Sequence, residues 1–133
     1  MHTGSCLCGA VSYTYQGEIN EISRCYCSQC QKGQGGAFVA VAPIETDLFA
    51  FVSGENALRE FRATPSKRRV FCSICASPIF SARDDIPEML RLRVGTLDTE
   101  IAPNKQYHAF VASKANWYAI DDDFPQYREL PTD

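Results

Sequence analysis

The sequence predicts a mainly β fold, and three features carry that expectation. Apolar and polar residues alternate over short stretches, these stretches lie close together along the chain, and helical periodicity is scarce. With 133 residues and a mass of 14.8 kDa the chain has the size of one domain, so residues 1–133 are read as a single unit with a modest apolar core. The first strand comes from Val11, Tyr13 and Tyr15, which alternate with Ser12, Thr14 and Gln16 and are closed off by Gly17. Ser28 to Gly33 follows as one or two helical turns, with Ser28 as the cap and glycine as the stop. Ala37 to Val41, Leu48 to Val52, Leu58 to Arg62, Val70 to Cys72 and Ile79 to Ala82 are the next strands. Leu90, Leu92 and Val94 alternate with Arg91 and Arg93, so that strand should turn its arginines away from the core. Leu97 to Ile101 is expected to form a helical turn and Tyr107 to Ala112 the last strand. No stretch repeats at a period of a solenoid, and none is biased enough to be a low-complexity tail.

Composition narrows the function. Hydrophobic residues make up 45% and charged residues 22%, as in ordinary globular proteins, which excludes a disordered or collagen-like chain. Thirteen Lys and Arg against 16 Asp and Glu leave a formal charge of -3, without the basic excess that a nucleic-acid partner attracts. The longest apolar stretches, Ala37 to Ala42 and Leu48 to Val52, fall far short of the roughly 20 residues of a membrane helix, so no membrane partner is expected. Met1 to Cys6 has neither the basic start nor the apolar run of a secretory signal, and the expected location is the cytoplasm. Nothing in the sequence speaks to oligomeric state.

Cysteine is the residue that stands out, with seven copies in three groups: Cys6 and Cys8 in C-L-C, Cys25, Cys27 and Cys30 in C-Y-C-S-Q-C, and Cys72 and Cys75 in C-S-I-C. An odd count argues against a secreted disulfide scaffold, and clustered thiols kept reduced in a cytosolic chain more often bind metal. A C-x-x-C turn can aim two thiolates at one ion with Zn–S distances of about 2.3 Å, and C-x-C does so less commonly. Four thiolates close a structural zinc site, whereas three leave a position open, and seven divides into four and three. Spacing alone leaves the partition open, because Cys27 and Cys30 with Cys72 and Cys75 would also make a zinc ribbon. Burial of the cysteines as small hydrophobes does not account for three tight clusters. A redox role for C-S-I-C lacks the βαβ context of a thioredoxin-like motif.

The chain resembles a known family, the glutathione-dependent formaldehyde-activating enzymes or Gfa-like proteins. The resemblance rests on G-S-C-L-C-G-A-V-S-Y at Gly4 to Tyr13, R-C-Y-C-S-Q-C-Q-K at Arg24 to Lys32, V-F-C-S-I-C-A-S-P-I-F at Val70 to Phe80, and S-K-A-N-W-Y at Ser113 to Tyr118. It implies an Mss4-like fold, a complex of short antiparallel sheets held by a structural zinc. It further implies that Cys6, Cys8, Cys72 and Cys75 hold that structural zinc, and that Cys25, Cys27 and Cys30 hold a second, catalytic zinc, making two per chain. The implied reaction joins glutathione with formaldehyde to give S-(hydroxymethyl)glutathione, or reverses that step, as carbon–sulfur lyase chemistry. The expected partners are therefore a small thiol, glutathione or a relative, and a small aldehyde. No catalytic residue is expected beyond the metal ligands, and Lys32 is the nearest candidate to offset the charge of three thiolates. A four-thiolate site would also pin the N-terminal strand to the middle hairpin, and structural zinc can contribute about 10 to 16 kcal/mol of apparent binding energy.

Two positions depart from the family pattern. Tyr26 stands where the family usually has histidine, and a phenol with a pKa near 10 is no proton shuttle at neutral pH. Ala76 stands where glycine usually follows the second C-x-x-C, and a left-handed conformation there costs alanine roughly 1 to 2 kcal/mol. Among the remaining residues, Lys67, Arg68 and Arg69 read as a solvated face outside the site, and His108 as a hydrogen-bonded structural residue in a strand. His2 is expected in a frayed terminus, Asp121 to Asp123 in a solvated turn, and Trp117 in the core. Lys114 and Trp117 belong to the family's C-terminal pattern without an assignable role. The alternative function is a non-catalytic zinc-stabilised module that binds another protein and needs only the four-thiolate site. A redox sensor working through Cys72 and Cys75 ranks below both.

Overall fold

In the computed structural model, which describes residues 1–131, the alternating stretch at the N-terminus becomes β2 (Ser12–Tyr15) and buries Tyr13 and Tyr15, with Val11 just ahead of it. Ahead of it runs β1 (His2–Ser5), and after it β3 (Glu21–Cys25), the short helix α1 (Ser28–Gln34), β4 (Val39–Glu45) and β5 (Phe49–Ser53). β6 (Leu58–Thr64), β7 (Lys67–Cys72), β8 (Pro78–Arg83), β9 (Met89–Arg93) and β10 (Lys105–Ala109) complete the strands of the described residues. The fold is mainly β, as expected. No helix among the described residues is long and apolar enough to cross a membrane.

The strands form two sheets. β1, β2 and β5 make a small antiparallel one, and the larger one has the order β10-β3-β4-β9-β8-β7-β6. Only the pairing of β10 with β3 is parallel in that larger sheet. Burial separates its two faces. Ala42, Ile44, Leu90, Leu92 and Phe80 pack with Tyr13 of the small sheet in the main core. The other face of β4 carries Val39 and Val41, which cluster with Cys30 under α1, so a second apolar patch lies on the far side of the large sheet. Register decides what else shares that far face, since directly paired residues project to the same side. Tyr107 pairs with Ser23, Ser23 with Val41 and Val41 with Arg93, while Arg91 pairs with Ser81 and Ser81 with Arg69. Arginines at alternate positions of β9 do stand opposite the core, but they stand over this second patch.

Two strands escaped sequence reading. β1, His-Thr-Gly-Ser, has no large apolar residue and is held as an edge strand by its pairing to β2. Gly4 permits that pairing to lie flat on Tyr13, because a Cβ there would sit 2.1 Å from the ring. β3 is uniformly half-buried and shows no alternation in burial, flanked on its two edges by β10 and β4. The expected frayed terminus at His2 is instead the start of β1, with the ring Nδ1 2.9 Å from Thr99 Oγ1. The expected helical turn at Leu97 to Ile101 is also overturned. A single 3₁₀ turn forms earlier, at Val94–Thr96, after which the Asp98 amide donates to the Thr3 carbonyl and Leu97 bridges to Gly4. Pairing to the edge of β1 uses the backbone groups a helix would need.

The two ends that carry Cys6, Cys8, Cys72 and Cys75 are matching knuckles. The Gly9 amide donates to the Cys6 carbonyl at 3.1 Å, and the Ala76 amide to the Cys72 carbonyl at 2.8 Å. Both turns end left-handed, Gly9 at φ 81° and Ala76 at φ 65°. Glycine adopts this conformation freely and alanine does not. Ala76→Gly is therefore expected to stabilise the protein by about 1 kcal/mol, read as a rise in the urea midpoint with an unchanged slope. A fall in the midpoint would show that unfolded-chain entropy outweighs the strain.

Candidate metal centres and the adjoining cavity

The structure brings the seven cysteines into two groups, Cys6, Cys8, Cys72 and Cys75 in one and Cys25, Cys27 and Cys30 in the other, each with its sulfurs within 4.8 Å of one another. The ribbon grouping of Cys27 and Cys30 with Cys72 and Cys75 is not assembled. A tetrahedral ion with Zn–S bonds of about 2.3 Å would space its ligand sulfurs about 3.8 Å apart. Cys6 and Cys8 Sγ lie 3.6 Å apart, Cys8 and Cys72 Sγ 3.9 Å, and Cys25 and Cys27 Sγ 3.4 Å. All-sulfur donors at that spacing fit zinc.

In the four-cysteine group, β7 delivers Cys72 from the floor of the core and the loop between β1 and β2 delivers Cys6 and Cys8. Hydrogen bonds to sulfur tune the group. The Val11 amide donates to Cys6 Sγ at 3.3 Å, and Ser77 Oγ lies 3.2 Å from Cys75 Sγ. Contacts from the Ser77 hydroxyl and amide hold the Cys75 thiol down to about 5.

The three-cysteine group is built on the start of α1. Cys25 ends β3, Cys27 is the N-cap residue and Cys30 lies in the first turn. Cys27 takes the capping role expected of Ser28, its sulfur accepting from the Cys30 amide at 3.4 Å, and Gly35 rather than Gly33 closes the helix in a left-handed turn. The Cys30 thiol is held down to about 5 by its hydrogen bond with Cys25, against the cost of burial, and Cys27 and the Arg69 guanidinium add to the effect. The same Cys30–Cys25 bond pushes the Cys25 thiol up. Arg69 Nη2 lies 3.9 Å from Cys30 Sγ, so Arg69 takes the charge-offsetting place expected of Lys32, which is exposed on α1.

Tyr26, between two of these cysteines, is fully buried beside the rings of Phe38, His108 and Tyr118. Its hydroxyl lies 2.8 Å from His108 Nδ1, and His108 Nε2 lies 2.8 Å from Asp122 Oδ1. An ionised Asp122 only accepts, which puts the imidazole proton on Nε2 and makes the phenol the donor to Nδ1. Burial, with the neighbouring Tyr118, pushes the phenol up to about 12. Tyr26 is thus a protonated anchor that fixes the cysteine loop. Gln31 Nε2 braces the same loop, donating to the Tyr26 carbonyl at 2.7 Å and the Ser113 carbonyl at 3.0 Å. His108 has the structural place expected of it, whereas Asp122 is a working acceptor rather than part of a solvated turn. Trp117, expected in the core, is 69% exposed, because Tyr118 fills the space against Tyr26. Lys114 Nζ donates to the Ala115 and Tyr118 carbonyls and holds that loop together.

A cavity of about 400 Å³ opens beside Cys25, Cys27 and Cys30, and its lining includes Lys67, Arg91, Arg93 and Ser81. The basic run at Lys67 to Arg69 is therefore not a solvated face. Alternation along β7 sends Lys67 and Arg69 toward the cysteines and Arg68 to the other side, 3.7 Å from Glu60 and over the Phe80 ring. Its run of three like charges hid this, since the spacing of two that separates Lys67 from Arg69 was the signal.

Fold and site together define a cysteine-rich β protein with two thiolate clusters suited to metal, one closed and one facing a cavity. Residues 1–113 match the model of the family described as glutathione-dependent formaldehyde-activating enzyme, and the chain belongs to that family. A Halomonas elongata protein provisionally named a glutathione-dependent formaldehyde-activating enzyme is 29% identical over 125 residues, covering 89% of this chain and 80% of its own length. A crystal structure of a Rhodobacter sphaeroides protein shares the fold, with a TM-score of 0.62 and 23% identity, covering 74% of this chain and 89% of that one.

Proposed function

We propose that this protein is a zinc-dependent enzyme of the carbon–sulfur lyase type, acting in the cytoplasm on a small thiol and a small aldehyde, with glutathione and formaldehyde as the pair the family suggests. Residues 1–133 act as one Gfa-like unit. Cys6, Cys8, Cys72 and Cys75 hold a structural zinc, and Cys25, Cys27 and Cys30 hold a catalytic one. The observation that supports this most is that the three-cysteine group lines a cavity of about 400 Å³, large enough for a substrate. Zinc held there stabilises a substrate sulfur as the thiolate at neutral pH.

The chain's own residues supply the rest. Cys25, Cys27 and Cys30 act as ligands, not nucleophiles, and Arg69 beside Cys30 offsets their charge. The substrate sulfur attacks the aldehyde carbon, forming the C–S bond while the carbonyl π pair moves to oxygen. That oxygen then takes up the proton the thiol released, and the reverse reaction breaks the same bond. Negative charge on the oxygen develops in a cavity lined by Lys67, Arg91 and Arg93, which favours it. Tyr26 holds no exchangeable role in this step, since it is buried and bonded to His108.

The second reading, a protein-binding zinc module, draws on exposed Leu7 and Ile74 at the tips of the two knuckles. It leaves the three-cysteine group and its cavity without a use. Elemental analysis of protein purified without chelator is expected to find close to two zinc per chain, with formaldehyde and glutathione consumed together by the same sample. One zinc per chain, unchanged on adding the metal back, would remove the catalytic centre and leave the module.

A further inference from the structure

The cavity is more cationic than a metal site requires. Lys67, Arg91 and Arg93 line it, with no Asp or Glu in the lining among the described residues, in a chain whose net charge is -3. Three arginines elsewhere pair with carboxylates, Arg62 with Asp84 at 2.8 Å, Arg68 with Glu60 at 3.7 Å and Arg83 with Asp85 at 2.7 Å. The three cavity cations have no carboxylate within salt-bridge distance among the described residues. Arg93 is only 6% exposed. Its Nη1 donates to Ser81 Oγ at 3.2 Å and to the Arg91 carbonyl at 3.4 Å, while its Nε is buried without an acceptor. Native proteins leave few charged donors buried and unmet, and those they leave often face a ligand. Burial, and then the neighbouring Arg69, lowers both Lys67 and Arg93, the latter to about 10, so a bound anion would relieve strain already present. Ser23, Ser28 and Ser81 add neutral hydroxyls to the same lining.

Formaldehyde has no charged group and fills little of about 400 Å³. The cations therefore address the other substrate. We propose that Lys67, Arg91 and Arg93 form a carboxylate-binding subsite that the thiol substrate's acidic group occupies, so that the site selects thiols of net negative charge and rejects those bearing an ammonium group near the sulfur. No acidic side chain of the lining is present to receive such an ammonium group. This rests on the reading of the cavity as a thiol site.

The test uses the protein with its native metal and measures binding by calorimetry for 3-mercaptopropionate, 3-mercaptopropanamide and cysteamine, which share the thiol and differ in charge. The carboxylate is expected to bind roughly 10- to 100-fold more tightly than the amide, and cysteamine more weakly still. Arg91→Met and Lys67→Met should each weaken the carboxylate about 10-fold and leave the amide unchanged. Glutarate, which has no thiol, should shift the arginine Nε–H resonances of the wild-type protein and should do so less in Arg93→Met. If Arg93→Met does not fold, the other two variants carry the same comparison. Equal binding of carboxylate and amide, with resonances unmoved by glutarate, overturns the subsite and leaves the thiol site standing. Glutarate binding with no thiol binding overturns the thiol reading and leaves the anion subsite standing.

Discussion

Cys72→Ser is expected to leave the protein unfolded at 25 °C. Cys72 is fully buried in the main core and groups with Cys75 of its own turn and with Cys6 and Cys8, which lie on another segment of the chain. Loss of a structural zinc removes about 10 to 16 kcal/mol of apparent binding energy, against a total stability of about 5 to 15 kcal/mol for a typical domain. Cys75→Ser separates the metal from the packing, because Cys75 is only half-buried and its removal makes no core cavity. Both variants should lose the cooperative thermal transition seen by near-ultraviolet circular dichroism. A Cys75→Ser protein that melts like the wild type would show that the four-cysteine group does not hold the fold.

Cys27→Ser is expected to have the opposite profile, a folded protein that has lost its function. Cys27 packs only at the edge of the small cluster on the far face of the large sheet and takes no part in the main core. Serine is a strong N-cap, so it can replace the Cys27 sulfur as acceptor for the Cys30 amide and keep α1 in place. It is a poor zinc ligand, and two remaining thiolates do not retain the ion. Zinc content should fall from about two to one per chain and turnover of thiol and aldehyde by at least about 100-fold, with a thermal midpoint within a few degrees of wild type. Unfolding of this variant would place Cys27 in the structural group, and unchanged zinc content would remove it from the ligands.

Much of this architecture was legible in the chain. Strands that set alternate apolar residues against the main core, such as β2 and β9, announce themselves because that alternation leaves a period of two in polarity. β3 is half-buried throughout and β1 depends on a neighbour, so their residues show no such period. Lys67 and Arg69 looked like surface because a run of like charge usually is, yet β7 sits mid-sheet and turns every second residue toward the cysteines. Asp122 contacts His108 from a loop after the last strand, a pairing that no local pattern encodes. Trp117 failed for the same reason, since which aromatic ring fills the space beside Tyr26 depends on a loop path that only packing selects.

What the amino-acid sequence determined by itself is the chemistry available: seven thiols in three chelating groups, a β-rich chain and the strain of Ala76, all of them properties of neighbours in the chain. Spacing left the partition of those thiols into four and three open; the family resemblance implied it, and the tertiary structure assembled it and set a cationic cavity beside the three-cysteine group. Metal-site composition and cavity charge are long-range quantities. They depend on strand order and register, which bring Cys8 to Cys72 across 64 residues and Arg69 to Cys30 across 39, and those follow from burying the core rather than from any local signal.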